Sequence, residues 1–205
     1  MARDLQSIVK RSRREGYALH PKAHKALVKR TTLPGQSASY RPRGKASQYS
    51  LQLREKQKVK RLYGLLERQF AKLMSEATRS TGQSGSTLLE YLERRLDNTV
   101  YRAGFAPSRR AARQLVSHGH FMYNGRRVDI PSIRVATGDQ VSLRERSHGS
   151  DYFKRLDDTS PAPPAIPSWL KVDRKKVTLT VTGAPAREDS EPDIKEQLIV
   201  EYYSR

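Results

Sequence analysis

Residues 108–119 have the sequence SRRAARQLVSHG, and they combine the signals for the start and the end of a helix. Ser108 is a residue type that caps a helix start, and Gly119 is a type that ends one. At about 100° per residue, the small and apolar side chains fall on one side of such a helix. Arg109, Arg110 and Arg113 fall within one arc of the other side. The pattern predicts a short helix that packs through one face and is cationic on the opposite face.

The three arginines lie in the first turns of this predicted helix, where the macrodipole already carries about half a positive charge. Each arginine opposes that dipole by roughly a few tenths of a kcal/mol, so folding alone is not expected to favour them. A bound anion would favour them, because backbone N–H groups, the dipole and guanidinium groups together suit a phosphate. The alternative interpretation is an ordinary solvated helix face.

The flanking segments predict a compact module around this helix. Residues 94–105 have the apolar spacing and the late glycine of a short helix. Residues 121–128 predict a β-hairpin, because Asn124-Gly125 suits a two-residue type I′ turn. Another turn at Gly138-Asp139 precedes the alternating residues 141–143, which predict a further strand. We therefore expect two helices packed on a small, mostly antiparallel twisted sheet, with phosphates bound across one rim. The basic residues of that rim are Arg109, Arg110, Arg113, Arg126 and Arg127.

The composition narrows the class of protein. The 205 residues carry a formal net charge of +19 and 36% hydrophobic residues. Such a balance indicates a nucleic acid or an anionic membrane surface as partner, and a core of modest size. No apolar run reaches membrane-spanning length and the N-terminus does not lead into a signal-peptide core, so we expect a cytoplasmic protein without a membrane segment. The absence of cysteine excludes disulfides and thiolate metal sites.

Residues 1–45 are the most basic part of the chain, with 12 Lys and Arg against 2 Asp and Glu. Little apolar periodicity and several Gly and Pro residues predict a basic extended arm that is poorly ordered when free. Tyr17 and Tyr40 could stack on bases among these cations, which favours an RNA-binding arm over a charged tail without a role. His20 and His24 have no third ligand nearby in the sequence, so no metal site is predicted.

Residues 46–93 predict a helical domain. Apolar residues between positions 50 and 79 follow helical spacing, and Gly64 is expected to split that segment into two helices. The segment from Thr87 to Glu90 matches a capping box, which predicts the start of another helix. Most basic side chains of the domain lack an acid at i, i+4 spacing, so we expect them to bind RNA rather than acids of this chain. They are Arg54, Lys56, Lys58, Lys60 and Arg61.

The C-terminal quarter has a different composition. Residues 151–189 predict a Pro-rich linker, stiffest at 160–167, and one extra strand at 177–181 that lies within or beside the sheet of the module. Residues 193–204 fit a strand or a helix. Residues 151–205 hold 9 basic and 10 acidic side chains, so this part is not expected to be a major phosphate binder.

Two sets of motifs resemble one known family. The first set consists of Arg95-Leu96-Asp97-Asn98, Tyr101-Arg102, Gly104-Phe105, ARQLVSH at 112–118 and Asn124-Gly125. It is similar to the alpha-L RNA-binding module named after the fourth protein of the small ribosomal subunit. The second set consists of Arg13-Arg14-Glu15-Gly16, Pro34-Gly35-Gln36, LREKQKV at 53–59, Tyr63-Gly64, LERQF at 66–70 and LIVE at 198–201. Together the two sets resemble the bacterial family of that ribosomal protein, in a cysteine-free form.

The resemblance implies an α+β protein with a mainly helical N-terminal domain and an alpha-L module. Its parts would be the arm 1–45, the helical domain 46–93 joined by a helix in 190–205, the module 94–150, and the linker with its strand, 151–189. The resemblance also implies a structural constituent of the small ribosomal subunit that binds the five-prime domain of the subunit's rRNA at a helix junction and nucleates assembly.

In the family, the protein also touches the fifth small-subunit protein and lies beside the path by which messenger RNA enters, with a role in translational accuracy. This chain departs from the family at Ser37-Ala38, where a His-Gly pair is usual, and at Tyr40, where a basic residue is common. The resemblance and the charge pattern together predict rRNA contacts by basic and polar residues in three parts of the chain. They are Arg3, Arg11, Arg13, Arg14, Arg43, Lys45, Arg54, Lys58, Arg61, Ser108, Arg109, Arg110, Arg113, Gln114, His118, Arg126 and Arg127.

Two other functions remain to be weighed. Arg95-Leu96-Asp97 is similar to the catalytic motif of pseudouridine synthases, but that aspartate belongs to a large separate domain, and only about 55 residues follow the module here. Asp97 is instead expected to cap a helix or to pair with Arg94 or Arg95, and neither catalysis nor a cofactor is expected. The second hypothesis is a free-standing regulatory or quality-control RNA-binding protein that uses the same module and stays off ribosomes.

Overall fold

The computed structural model describes residues 6–30, 32–35, 46–163 and 165–204. The chain divides into a first compact unit, residues 1–88 and 193–205, and a second, residues 89–192. Helices and antiparallel strands are both present, so the predicted α+β class is confirmed. Within the described part of the chain, no helix has the length and apolar character needed to cross a membrane.

The first unit is helical. Its helices are α1 (Ile8–Glu15), α2 (Pro21–Lys29), α3 (Gln48–Leu62), α4 (Glu67–Arg79), the first part of α5 (Ser84–Glu93), and the C-terminal α11 (Glu196–Tyr203). The predicted break at Gly64 is confirmed, since that glycine has a left-handed φ of +67° between α3 and α4. The C-terminal segment is a helix and packs against α3, which resolves the choice between strand and helix.

Helices α1 and α2 correct the prediction of an extended arm. That prediction is wrong for residues 8–15 and 21–29, which are helical and pack against each other. Gly16 ends α1 in the left-handed conformation, and Pro21 occupies the first turn of α2 behind the N-cap His20. The two supposed breakers therefore mark helix boundaries, which are the positions that Gly and Pro favour.

The start of α5 also differs from the prediction. The helix begins at Ser84, three residues before the proposed cap Thr87, whose hydroxyl instead donates to the carbonyl of Gln83 at 3.1 Å. A side chain at Gly85 would lie 2.8 Å from Cγ of Glu196, so this glycine allows the close approach of α11. Tertiary packing here outweighs the weak helix propensity of Ser and Gly.

The second unit contains the module predicted around residues 108–119. Its longer helices are α6 (Leu96–Arg102) and α7 (Arg109–Ser117), and α8 (Glu145–His148), α9 (Asp151–Lys154) and α10 (Leu156–Thr159) are single turns. The strands are β1 (Phe121–Tyr123), β2 (Arg126–Val128), β3 (Gln140–Leu143), β4 (Leu170–Asp173) and β5 (Thr178–Val181). They form one antiparallel sheet in the order β2-β1-β3-β5-β4, and a 3-10 turn at Arg187–Asp189 follows.

The predicted hairpin and the extra strand are both confirmed. Asn124 and Gly125 have φ values of +48° and +77°, as a type I′ turn requires, and join β1 to β2. Strand β5 pairs with β3, within the sheet. Strand β4 was not predicted, because its sequence LKVD is short and half charged. Apolar residues from both helices and the strands form one core, including Val100, Phe105, Val116, Phe121 and Leu179.

Candidate nucleic-acid interface

Helix α7 begins as its sequence predicts. The Ser108 hydroxyl accepts a hydrogen bond from the backbone N–H of Ala111 at 3.2 Å, which is an N-cap. Ala112 and Val116 are buried in the core. The exposed side chains of the helix and its C-cap are Arg110, Gln114 and His118, which are spaced at i, i+4 and i+8 and define the outer stripe of α7.

Arg109 does not belong to the outer stripe, because its side chain is only 12% exposed. Its Nε donates to Oδ1 of Asn98 at 2.8 Å, and its Nη2 donates to Oε1 of Glu191 at 3.1 Å. The guanidinium also lies 4.7 Å from the ring centre of Tyr101, a cation–π contact. This arginine is therefore part of the fold of the second unit.

Arg113 is held in a similar way, with 13% of its side chain exposed. Its Nη1 donates to Oδ2 of Asp97 at 3.2 Å. The same carboxylate accepts two hydrogen bonds from Arg95, at 3.0 and 2.8 Å, which confirms the predicted pairing of Asp97 with that neighbour. One buried carboxylate thus joins two guanidinium groups.

These contacts correct the energetic argument from the sequence. The expectation that folding does not favour the three arginines is wrong for Arg109 and Arg113, because each forms charge-assisted hydrogen bonds that outweigh the small dipole term. Arg110 is the member of the trio whose side chain is exposed. Contact of any of the three with RNA stays a prediction.

The hairpin carries two more cations, and one of them lies near the end of α7. Arg126 and Arg127 are exposed on β2. A side chain at Gly119, where φ is +70°, would meet Nε of Arg127 at 2.7 Å, so the missing side chain gives Arg127 room at the end of α7. The sequence identified Gly119 as a helix terminator, and the structure adds this second role.

Asp139 stabilises the hairpin through hydrogen bonds to its first strand and its turn. It accepts hydrogen bonds from the Tyr123 hydroxyl at 2.5 Å, from Asn124 Nδ2 at 2.8 Å and from the backbone N–H of Ala136 at 2.5 Å. Burial together with this hydrogen bond raises the pKa of Tyr123 to about 12, so the phenol stays protonated near neutral pH. The turn that positions Arg126 and Arg127 is therefore braced by a polar network.

The two histidines near the end of α7 have different environments. His118 is exposed, whereas His120 contacts Phe153 and its Nδ1 lies 3.1 Å from Oγ of Ser147. Burial, and then the neighbouring His118, lower the pKa of His120. His118 is the exposed member of this pair and belongs to the outer stripe.

In the first unit, the expectation of free basic residues on α3 is wrong. Arg54 and Arg61 both donate to Glu15, Lys56 and Lys60 each lie 2.7 Å from Glu67, and Lys58 lies 2.8 Å from Glu55. Glu15 and Glu67 lie more than four positions from their partners in the sequence, so the i, i+4 rule could not find them. The prediction that Arg54, Lys58 and Arg61 bind rRNA remains open, since paired side chains can retain free donors.

Other predicted residues differ in their surroundings. Arg13 donates to the carbonyl of Thr32 at 2.7 Å and so fixes the segment after α2, Arg11 donates to Gln6 at 3.1 Å, and Arg14 is exposed. Arg3, Arg43, Lys45 and the altered loop Ser37–Tyr40 lie outside the described residues. Among the residues that the structure does describe, no group of three His, Cys, Asp or Glu could hold a metal ion.

Comparisons with known proteins match both parts of the chain. Residues 94–141 match the family model described as S4 domain, and residues 3–93 match the model described as Ribosomal protein S4/S9 N-terminal domain. The chain is 48% identical over 206 residues to small ribosomal subunit protein uS4 of Chlorobaculum tepidum, and 50% identical to that of Chlorobium luteolum. It is 49% identical over 211 residues to that of Herpetosiphon aurantiacus. Each comparison covers the whole of both chains.

Proposed function

The chain belongs to the family of the small ribosomal subunit protein uS4, and from that premise we propose that it is a structural component of the small ribosomal subunit. It binds the rRNA of that subunit through phosphates and shape more than through base edges. The protein works in the cytoplasm as part of a ribonucleoprotein.

The extent of the match carries this proposal. About half of the residues are identical over the full length of each relative, and the match includes the segment 3–93 as well as the module. A regulatory RNA-binding protein that had borrowed the module would need to resemble the family only there. The full-length match therefore favours the ribosomal protein over the free-standing alternative.

The geometry of the second unit supports rRNA binding. The outer stripe presents Arg110, Gln114 and His118, and Arg127 lies beside its C-terminal end. Arg109 and Arg113 are fixed by internal partners, so they form a rigid base for the exposed side chains rather than the main contact surface. A row of donors on a rigid base suits a phosphate backbone, because the spacing of the donors is set before binding.

The finer part of the proposal concerns the RNA site and its timing. We propose that the target is the helix junction of the five-prime domain and that binding there nucleates assembly of the subunit. The chain then adjoins the fifth small-subunit protein and the path by which messenger RNA enters, with an effect on translational accuracy. The protein is not an enzyme in this account, because Asp97, the residue of the synthase-like motif, is committed to Arg95 and Arg113.

Fractionation of cell extract on a sucrose gradient, with immunodetection of the chain, tests the proposal. A structural component co-sediments with small subunits in a ratio close to one per subunit, and high salt removes little of it from the assembled particle. A chain that stays at the top of the gradient in growing cells would support the regulatory alternative instead.

A further inference from the structure

The carboxylate of Glu15 lies at the centre of a group of arginines in the first unit. Glu15 is the last residue of α1, and its side chain is fully buried. Arg54 Nη1 donates to its Oε1 at 3.1 Å, and Arg61 donates to the same oxygen. Burial raises the pKa of Glu15, and the nearby Arg54, Arg61, Arg14 and Arg11 oppose that shift electrostatically.

The group carries more positive than negative charge. Arg54 and Arg61 contact the carboxylate, and Arg11 and Arg14 belong to the same helix as Glu15, so we call these five residues the Glu15 cluster, with a formal excess of three positive charges. Burial lowers the pKa of Arg61, the attraction of Glu15 opposes that, and repulsion from Arg54 and Arg14 lowers it further. Crowded like charges of this kind are relieved when an anion binds beside them.

The exposure of the side chains gives the cluster a direction. Glu15 is 0% exposed and Arg61 16% exposed, whereas Arg54 is 37% exposed and Arg14 is an exposed residue of α1. Arg54 directs one of its five donors to the carboxylate, and a guanidinium keeps further donors for a second acceptor. The buried carboxylate thus holds the arginine side chains from the interior, and their exposed guanidinium groups form a cationic surface.

We propose that Glu15 is a positioning residue for a phosphate site formed by Arg14, Arg54 and Arg61, and that this site holds backbone phosphates of the rRNA. The inference rests on the proposed function and deepens it, since it assigns a role in RNA binding to an acid. Arginine forks match the two free oxygens of a phosphodiester, and the excess charge is complementary to adjacent phosphates. An acidic segment of a neighbouring protein is the competing occupant.

Two substitutions of Glu15 separate positioning from net charge. Glu15→Gln removes a negative charge, so a diffuse positive field predicts tighter RNA binding, whereas the positioning role predicts weaker binding. Glu15→Asp keeps the charge and shortens the side chain, so a diffuse field predicts no change and the positioning role again predicts a loss. Each phosphate contact contributes about eightfold to affinity at 0.1 M salt relative to 1 M, so we expect about an eightfold loss or more for Glu15→Gln.

Arg14→Gln is a second test of the site, which remains usable if the Glu15 variants do not fold. Arg14 is exposed, so this change should leave the thermal transition in place while it weakens RNA binding and lowers the slope of log affinity against log salt by somewhat less than one unit. Lys10→Gln, on the same helix and also exposed, removes the same charge outside the cluster. It should cost clearly less affinity than Arg14→Gln.

The measurement is filter binding of the full-length chain to the five-prime domain of small-subunit rRNA, with circular dichroism as the check on folding. The inference holds if Glu15→Gln and Arg14→Gln each weaken binding and the effect of Arg14→Gln shrinks in the Glu15→Gln background. It is overturned if folded Glu15→Gln binds as tightly as the wild type or more tightly, or if Arg14→Gln matches Lys10→Gln. Unchanged rRNA binding by all variants would favour the acidic protein segment. If the wild-type chain does not bind the rRNA domain at all, the proposed function itself is contradicted.

Discussion

Arg109→Gln and Arg110→Gln should affect different properties of the protein, although the two arginines are neighbours in one helix turn. Arg109 is 12% exposed and joins Asn98, Glu191 and Tyr101, whereas Arg110 is exposed. Glutamine has nearly the same helix propensity as arginine, so the comparison isolates the contacts of the side chains. We expect Arg109→Gln to act on stability and Arg110→Gln to act on RNA affinity.

The cost of Arg109→Gln follows from its contacts. The charge-assisted hydrogen bond to Asn98 contributes about 1.5–3 kcal/mol, because the 2% exposed Asn98 would keep a buried oxygen without that donor. The pair with the partly exposed Glu191 contributes up to about 1 kcal/mol, and the Tyr101 contact about 0.5–2 kcal/mol. Relief of the dipole returns about 0.3–1 kcal/mol. Since such terms are not additive, we expect a net loss of about 2–3 kcal/mol.

Thermal unfolding and RNA binding of both variants provide the assay. For a chain of this length, a loss of about 2–3 kcal/mol lowers the midpoint by roughly 5–10 °C. Arg110→Gln should change stability by less than about 0.5 kcal/mol, as exposed substitutions do, and should weaken RNA binding with a reduced salt slope. Equal stability of the two variants would refute the reasoning, because the internal partners of Arg109 would then contribute nothing.

Two further substitutions test other parts of the fold. Gly104→Ala should destabilise the chain by at least about 1 kcal/mol in urea unfolding, because φ is +76° there and the new methyl would lie 2.7 Å from Nη1 of Arg174; an unchanged midpoint would contradict the tight fit. Burial alone would raise the pKa of Glu67, but hydrogen bonds from Lys56, Lys60 and Tyr203 lower it from 4.5 to about 2. The ionised group therefore stabilises the fold above about pH 4.5 and loses this effect as the pH falls toward 2, so Glu67→Gln should flatten the acid limb of a stability profile measured from pH 2 to 6.

Local signals in the sequence predict α6, α7, the hairpin, β3 and β5 of the second unit. The prediction of a linker with one strand at 151–189 is incomplete, because α9, α10 and β4 also lie there. Asn124-Gly125 predicts the hairpin, because few residue pairs accept two positive φ values, and Ser108 and Gly119 bracket α7 for equally local reasons. The alternation at 178–181 predicts β5. Strand β4 escaped prediction, since its apolar alternation covers only four residues and the strand acquires its conformation by pairing with β5.

The partners of the charged side chains could not be predicted from their local spacing in the sequence. Glu15 pairs with residues 39 and 46 positions away, and Glu191 pairs with Arg109 across 82 positions. Such partners meet only after the chain has folded, so a helical wheel assigned Arg109 and Arg113 to a solvent-facing arc. The excess of basic residues in the sequence therefore overstates the number of cations that a nucleic acid can reach. Which basic side chains stay exposed depends on the acids with which they pair in the folded chain.

The two helices of the N-terminal arm show a related limit. Gly16 and Pro21 predict interruptions of an extended segment, but the same residue types are also favoured at the end and at the start of helices, which is where the structure has them. The packing of α1 on α2 stabilises two short helices that would be marginal alone. The glycine and the proline therefore mark helix ends in the arm, and the residues before the glycine and after the proline are helical and not extended.

The most direct test of the central claim is the affinity of the purified chain for the five-prime domain of small-subunit rRNA, measured over a series of salt concentrations beside an unrelated RNA of equal length. The account predicts preferential binding of the rRNA domain and a steep fall of affinity with salt, with a slope that corresponds to several phosphate contacts at about 0.9 each. It further predicts a smaller slope for Arg110→Gln. Equal affinity for both RNAs, or an affinity that hardly changes with salt, would contradict it.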